Sequence, residues 1–114
     1  MTFKFDSAED SGGILEVDPS QVFQNKNQVK IIDVRSEEEF TGELNHIQGA
    51  DLIPLDTLPE QIASISKDQT IVFVCRSGGR SARATAIAQH SGFENVYNMR
   101  GGMILWNDLG LETE

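Results

Sequence analysis

Only one cysteine, Cys75, occurs among the 114 residues, so the chain cannot form an internal disulfide. A lone thiol is typical of a reducing compartment, and we expect a cytoplasmic protein. No apolar stretch approaches the ~20 residues that a membrane-spanning helix needs. The first residues show no basic region followed by an apolar one, so no secretory signal is predicted. The length suits one domain.

Basic residues are also scarce, with nine Lys and Arg against eighteen Asp and Glu, for a net charge of -9. This balance argues against nucleic acid and anionic membranes as partners, because both attract basic surfaces. Acidic residues are in turn absent between Asp68 and Glu94, a window that contains Arg76, Arg80 and Arg83. The sequence therefore predicts a locally cationic pocket, suited to a small anion, on an otherwise acidic protein.

Apolar segments alternate with helical ones along the chain, which predicts an α/β fold with a mostly parallel central sheet and helices on both faces. The predicted strands are 14–17, 29–34, 52–55, 71–74 and 95–98. The predicted helices begin near residues 19, 37, 57, 80 and 103. Residues 1–13 are polar and end in two glycines, so we expect a flexible N-terminal arm before a domain over 14–114.

The lone cysteine follows the apolar run 71–74 directly and begins the segment Cys75-Arg76-Ser77-Gly78-Gly79-Arg80-Ser81. A cysteine after such a run is usually a small core residue, but a core position needs no glycine-rich turn flanked by arginines. Positive charge and the amino end of the following helix would lower the pKa of the thiol and favour the nucleophilic thiolate. The small residues would let successive backbone N–H groups turn inward around an anion.

The segment 75–81 resembles the active-site loop of the rhodanese family of sulfurtransferases. Three other stretches are similar to that family in order and spacing, namely 33–40, 46–55 and 92–106. Together they cover about residues 14 to 111, as a single-domain version. The family often has a glycine and a proline where this chain has Asn45 and Gln48.

The resemblance implies a rhodanese-like three-layer fold and a catalytic Cys75 that carries a persulfide. The donor would be thiosulfate or another small anionic sulfur donor, and the acceptor would be cyanide, an external thiol or a protein. The backbone N–H groups of residues 76–81 would hold the sulfur and the donor, with neither a metal nor an organic cofactor. Donor-binding side chains would be Arg76 and Arg80, and hydrogen-bond donors would be Ser77 and Ser81.

Two other functions use the same residues. A thiol phosphatase or arsenate reductase also surrounds a thiolate with N–H groups, but such enzymes place five residues between cysteine and arginine, whereas four separate Cys75 from Arg80. A persulfide carrier or interaction module would serve a protein partner instead of small acceptors. Zinc binding is disfavoured because His46 and His90 lack metal-site spacing. We expect Asp33 and Arg35 to pair and brace neighbouring loops.

Overall fold

The computed structural model describes residues 2–114, and a six-stranded sheet lies at its centre. Its strands are β1 Glu9–Ser11, β2 Ile14–Val17, β3 Lys30–Asp33, β4 Asp51–Leu52, β5 Ile71–Val74 and β6 Val96–Met99. They lie in the order β1-β2-β6-β5-β3-β4, and every pair is parallel except the antiparallel β1 and β2. The mostly parallel α/β sheet predicted from the sequence is thereby confirmed.

Within residues 2–114, five α-helices accompany the sheet: α1 Pro19–Gln24, α2 Glu37–Phe40, α3 Leu58–Gln61, α4 Gly79–His90 and α5 Gly102–Asp108. Three short 3-10 turns, Lys26–Gln28, Leu55–Thr57 and Ile62–Ser64, complete the helical segments. The longest helix, α4, has 12 residues. Among residues 2–114 no helix combines the length and the apolar character needed to cross a membrane.

The two faces of the sheet carry separate apolar cores, and strand β5 contributes to both because successive side chains point to opposite faces. Val72 packs into the core that contains Trp106 of α5. Phe73 and Cys75 pack into the other core, together with Ala84 of α4. All four residues of β5 are buried, as expected for a central parallel strand. This register places the Cys75 side chain on the α4 face, at the carboxyl end of the sheet.

The N-terminal segment differs from the predicted flexible arm, although Met1 lies outside the described residues. Phe5 is buried, and its ring packs edge-on against Phe3 and Tyr97 with centroid distances of 5.0 Å. Residues 9–11 form an edge strand rather than part of an arm. Gly12 and Gly13 have φ values of 63° and 93°, so they form the tight turn of a β-hairpin, for which positive φ is required. Polar composition therefore concealed an ordered segment.

The predicted elements around residues 52–65 are shorter in the structure. Strand β4 ends at Leu52, and Leu55–Thr57 forms a 3-10 turn instead of extending the strand. Pro54, with a φ of -52°, is the cap residue at which the chain leaves the extended conformation and enters this turn. The predicted helix that begins near residue 57 is divided into α3 and the 3-10 turn Ile62–Ser64.

Candidate active site

Cys75 is the first residue after β5, and its sulfur is surrounded by hydrogen-bond donors of the following loop. The side chain is 1% exposed. Its Sγ accepts a hydrogen bond from the backbone N–H of Gly78 at 3.1 Å and lies 3.2 Å from the Ser81 hydroxyl oxygen. Gly78 has a φ of 108°, a conformation that favours glycine and directs its N–H back toward the sulfur. Helix α4 begins immediately afterwards.

Two opposing effects act on the pKa of the Cys75 thiol. Burial is the largest single effect and raises this pKa, because it disfavours the charged thiolate. The Ser81 hydroxyl and the backbone N–H groups of Ser81, Gly78 and Ser77 lower the pKa by hydrogen bonding to the sulfur. Together the hydrogen bonds outweigh burial, so the pKa lies below the ordinary value for cysteine. The loop therefore favours the nucleophilic form of the sulfur.

Helix α5, which follows β6, is hydrogen-bonded to the loop through the backbone of its first turn. The Met103 N–H donates to the Cys75 carbonyl at 2.9 Å, and the Ile104 N–H donates to the Arg76 carbonyl at 3.0 Å. Both carbonyls are thus occupied by helix donors. Because both carbonyl oxygens point toward α5, they are kept away from the Cys75 sulfur. The loop therefore presents N–H groups to the sulfur, which favours a bound anion.

A buried polar chain, which sequence reasoning missed, lies behind the loop. The Ser81 hydroxyl also contacts Oδ1 of Asn98 on β6, and Asn98 is 1% exposed. The Asn98 amide nitrogen donates to the Gly78 carbonyl at 3.1 Å and to Oε2 of Glu16 at 3.0 Å. The sequence signal that could have pointed to this chain is the polar residue Asn98 within the strand predicted over 95–98.

The loop arginines occupy different environments. Arg76 is exposed, whereas Arg80 forms a two-pronged ion pair with Glu39 of α2, with N–O distances of 2.7 and 2.8 Å. Hydrogen bonding from Arg80 is the main reason that the pKa of Glu39 falls to about 2. Ser36 adds a capping box around the same carboxylate. The pair ties the start of α4 to α2.

This ion pair predicts a pH-dependent contribution to stability. A carboxylate whose pKa is lowered by folding stabilises the protein above its unfolded pKa of about 4.5, and that stabilisation is lost as the pH falls toward 2. Glu39→Gln should lower the free energy of unfolding at pH 7 by less than ~1 kcal/mol, because both side chains are partly exposed. Urea unfolding at pH 7 and pH 2 should show that the difference from wild type disappears in acid.

Glu38→Gln is the matched control, because it removes the same charge from the same helical turn at an exposed position. A loss in Glu38→Gln equal to that in Glu39→Gln would show that general charge, not the contact with Arg80, determines the effect.

The expected pairing of Asp33 and Arg35 is present and fully buried. Each side chain is 1% exposed, and Arg35 Nη2 donates to Asp33 Oδ2 at 2.8 Å. The same nitrogen donates to the Asn45 carbonyl at 2.7 Å. Asn45 has a φ of 54°, so this chain uses asparagine where a left-handed backbone otherwise favours glycine. The pair braces the loop after β3, beside the Cys75 loop.

A cavity of about 500 Å³ lies next to the loop. It is bounded on one side by Arg80, Arg83 and Ile87 of α4, and on the other by Leu55 and Pro59. Arg83 is thus placed at the cavity rather than on a remote surface. Its walls combine apolar side chains with the guanidinium groups of Arg80 and Arg83 and with Asp56, a lining that suits an organic molecule with polar groups.

These features define a class of protein: an α/β domain with a mostly parallel sheet and a buried, hydrogen-bonded thiol in a glycine-containing loop at the end of a central strand. The rhodanese-like domain family matches residues 18–109, and the chain belongs to that family. The family resemblance drawn from the loop and flanking motifs is confirmed.

Individual proteins agree with this assignment. A sulfurtransferase from Allochromatium vinosum is 35% identical over 92 residues, covering 81% of this chain and 84% of the relative. A tRNA uridine(34) hydroxylase from Sodalis glossinidius is 33% identical over 99 residues, but the match spans 82% of this chain and only 28% of that protein. A rhodanese-like domain protein from Staphylococcus aureus superposes with a TM-score of 0.74 at 32% identity, covering 87% of this chain and 97% of that one.

Proposed function

We propose that the protein is a sulfurtransferase that moves a sulfane sulfur through a persulfide on Cys75. The donor is thiosulfate or another persulfide or polysulfide, and the acceptor is cyanide or a thiol. The observation that carries the proposal is the Cys75 sulfur, held by Gly78 N–H and beside the Ser81 hydroxyl in a loop of backbone donors. Membership of the rhodanese-like family and the sulfurtransferase relative support the same reaction class.

The first step is attack by the Cys75 thiolate on the outer sulfur of thiosulfate. A new bond forms between the two sulfurs, and the S–S bond of thiosulfate breaks with its electron pair leaving on sulfite. Cys75 then carries a persulfide whose terminal sulfur is anionic. Attack by cyanide on that sulfur releases thiocyanate and restores the thiolate. The two half-reactions predict ping-pong kinetics.

The loop residues have distinct roles in this proposal. The backbone N–H groups of residues 76–81 stabilise the anionic persulfide and the departing sulfite. Ser77 and Ser81 add hydrogen bonds near the sulfur, and Gly78 and Gly79 allow the backbone to approach it. Arg76, which is exposed, attracts the anionic donor. Arg80 is already paired with Glu39, so we assign it mainly to holding α4 and α2 together around the site.

The acceptor must come from outside the chain, because Cys75 is its only thiol. The cavity beside Arg80 and Arg83 offers space for the organic part of a small thiol acceptor. Delivery to a protein thiol in the cytoplasm is the alternative acceptor role. It predicts efficient sulfur loading together with slow release to cyanide and small thiols.

Intact-mass spectrometry after thiosulfate treatment tests the proposal directly. The wild-type protein should gain the mass of one sulfur atom, and cyanide should remove it with release of thiocyanate. Glutathione persulfide and inorganic polysulfide serve as further donors in parallel. Failure of all three donors to add sulfur would overturn the proposal. Loading followed by very slow release to cyanide would favour the carrier role.

A further inference from the structure

The Ser81 hydroxyl faces two acceptors but has only one proton to donate. Its oxygen lies 3.2 Å from Cys75 Sγ and within hydrogen-bond distance of Asn98 Oδ1. All three residues are buried, so water does not readily supply a substitute donor. A hydroxyl can be turned toward only one of the two acceptors at a time.

The orientation of the Asn98 amide follows from its other contacts. Its nitrogen is 3.1 Å from the Gly78 carbonyl and 3.0 Å from the Glu16 carboxylate, and both of these groups accept. Rotating the amide would place its oxygen against two acceptors, which is unfavourable. Oδ1 therefore faces Ser81, and because an amide oxygen cannot donate, their contact requires the Ser81 proton.

We propose that Asn98 is a positioning residue that competes with the Cys75 thiolate for the proton of the Ser81 hydroxyl. With Cys75 protonated, Ser81 donates to Asn98 and its lone pairs face the sulfur. When Cys75 loses its proton, the Ser81 hydroxyl turns to the sulfur and gives up the bond to Asn98. Ionisation of Cys75 therefore breaks the buried hydrogen bond between Ser81 and Asn98. Asn98 thus disfavours the thiolate, which Gly78 and Ser81 stabilise.

Removing Asn98 need not collapse the loop. The Gly78 carbonyl also accepts a hydrogen bond from the Ala82 N–H at 3.1 Å, in the first turn of α4. Glu16 is only partly buried and can be solvated after losing its amide partner. The Ser81 hydroxyl is then the group that changes most, because Cys75 Sγ becomes its remaining nearby acceptor.

The charged groups around the thiol do not change in this comparison. Arg80 faces it from α4, Asp33 lies at the end of neighbouring β3, and Glu39 neutralises Arg80 from α2. Glu16 approaches from β2 through Asn98, and Arg76 lies in the loop itself. Replacing Asn98 with leucine alters none of these charges. A change in the ionisation of Cys75 would therefore report the competition for the Ser81 proton.

The test measures the rate of iodoacetamide alkylation of Cys75 against pH, which reports the thiolate fraction without any sulfur-transfer assay. Asn98→Leu should lower the apparent pKa of Cys75 by about half to one unit, the equivalent of one modest buried hydrogen bond. Ser81→Ala should raise it. In the Ser81→Ala background, adding Asn98→Leu should have no further effect, because the contested proton is absent.

An unchanged or raised pKa in a folded Asn98→Leu protein would overturn the inference and leave Asn98 a structural residue. The inference would also be overturned if Asn98→Leu shifted the pKa of Cys75 equally in the wild-type and Ser81→Ala backgrounds. If Asn98→Leu does not fold by circular dichroism, Asn98→Ala replaces it, since the smaller side chain cannot crowd the loop. This inference rests on the proposed function, because it concerns the proposed nucleophile. The two can nevertheless fail separately, since alkylation measures the thiol of Cys75 even in a protein that never loads sulfur.

Discussion

Cys75→Ser is expected to reduce sulfur loading from thiosulfate to background, a drop of roughly 10³-fold or more, as when a covalent nucleophile is removed. Serine would place an oxygen where the sulfur lies, with the Gly78 N–H and Ser81 hydroxyl still beside it. A neutral hydroxyl is a weak nucleophile without a general base, and no persulfide can form on oxygen. The chain has no second thiol to substitute for it.

The loss should occur without unfolding. The serine hydroxyl can accept the hydrogen bond of Gly78 and exchange one with Ser81, so the buried oxygen is not left without partners. Thermal unfolding followed by circular dichroism should show that the free energy of unfolding falls by no more than ~1–2 kcal/mol. Intact-mass spectrometry and thiocyanate release should both be negative at temperatures where the variant is folded.

A gain of one sulfur atom from thiosulfate, or release of thiocyanate, by a folded Cys75→Ser protein would contradict the assignment of the nucleophile. Arg83→Gln provides a matched control, because it changes a cavity residue without touching the thiol. That variant should still gain one sulfur atom from thiosulfate. Loss of loading in both variants would point to general disruption rather than to removal of the nucleophile.

Much of the site was visible in local sequence patterns. The run 71–74 predicted a buried strand, and the glycines and arginines after Cys75 predicted a turn leading into a helix; strand β5 and helix α4 confirm both. These features depend on neighbours only a few residues apart. The position of Cys75 at the carboxyl end of the sheet follows from them directly.

Long-range partners could not be predicted in the same way. Glu39 is 41 residues from Arg80, and its place in an acidic helix start does not indicate that partner. Asn98 is 17 residues from Ser81, and a single asparagine in a short strand does not indicate its partner. Phe5 looked like part of a polar arm because its aromatic contact, Tyr97, lies 92 residues away. Each pairing depends on which helices and strands the fold brings together.

Gly102→Ala is expected to be strongly destabilising, although the residue lies outside the loop itself. A Cβ at this position would lie 2.4 Å from the Arg76 carbonyl oxygen and 2.5 Å from the Cys75 carbonyl oxygen. Both atoms belong to the backbone and cannot move aside as a flexible side chain would. Gly102 also has a φ of 59°, a left-handed conformation that costs alanine roughly 1–2 kcal/mol by itself.

The clash should affect both stability and the site. The carbonyls of Cys75 and Arg76 are the acceptors for the first turn of α5, so relieving the overlap must lengthen those hydrogen bonds or shift the loop. We expect a loss of about 3–5 kcal/mol in the free energy of unfolding, at the upper end for a single substitution. Sulfur loading of the remaining folded protein should also slow, because the N–H groups around the sulfur move with the loop.

Gly110→Ala separates the two causes. Gly110 has a φ of 72° but open space around the added Cβ, so this variant should lose only the ~1–2 kcal/mol of the left-handed conformation. Urea unfolding of both variants measures the difference, and alkylation of Cys75 shows whether the thiol environment has changed. Equal losses would mean that α5 can move away from the loop at little cost. A larger loss in Gly102→Ala, accompanied by altered thiol reactivity, would show that close packing of α5 on two loop carbonyls holds the sulfur in place.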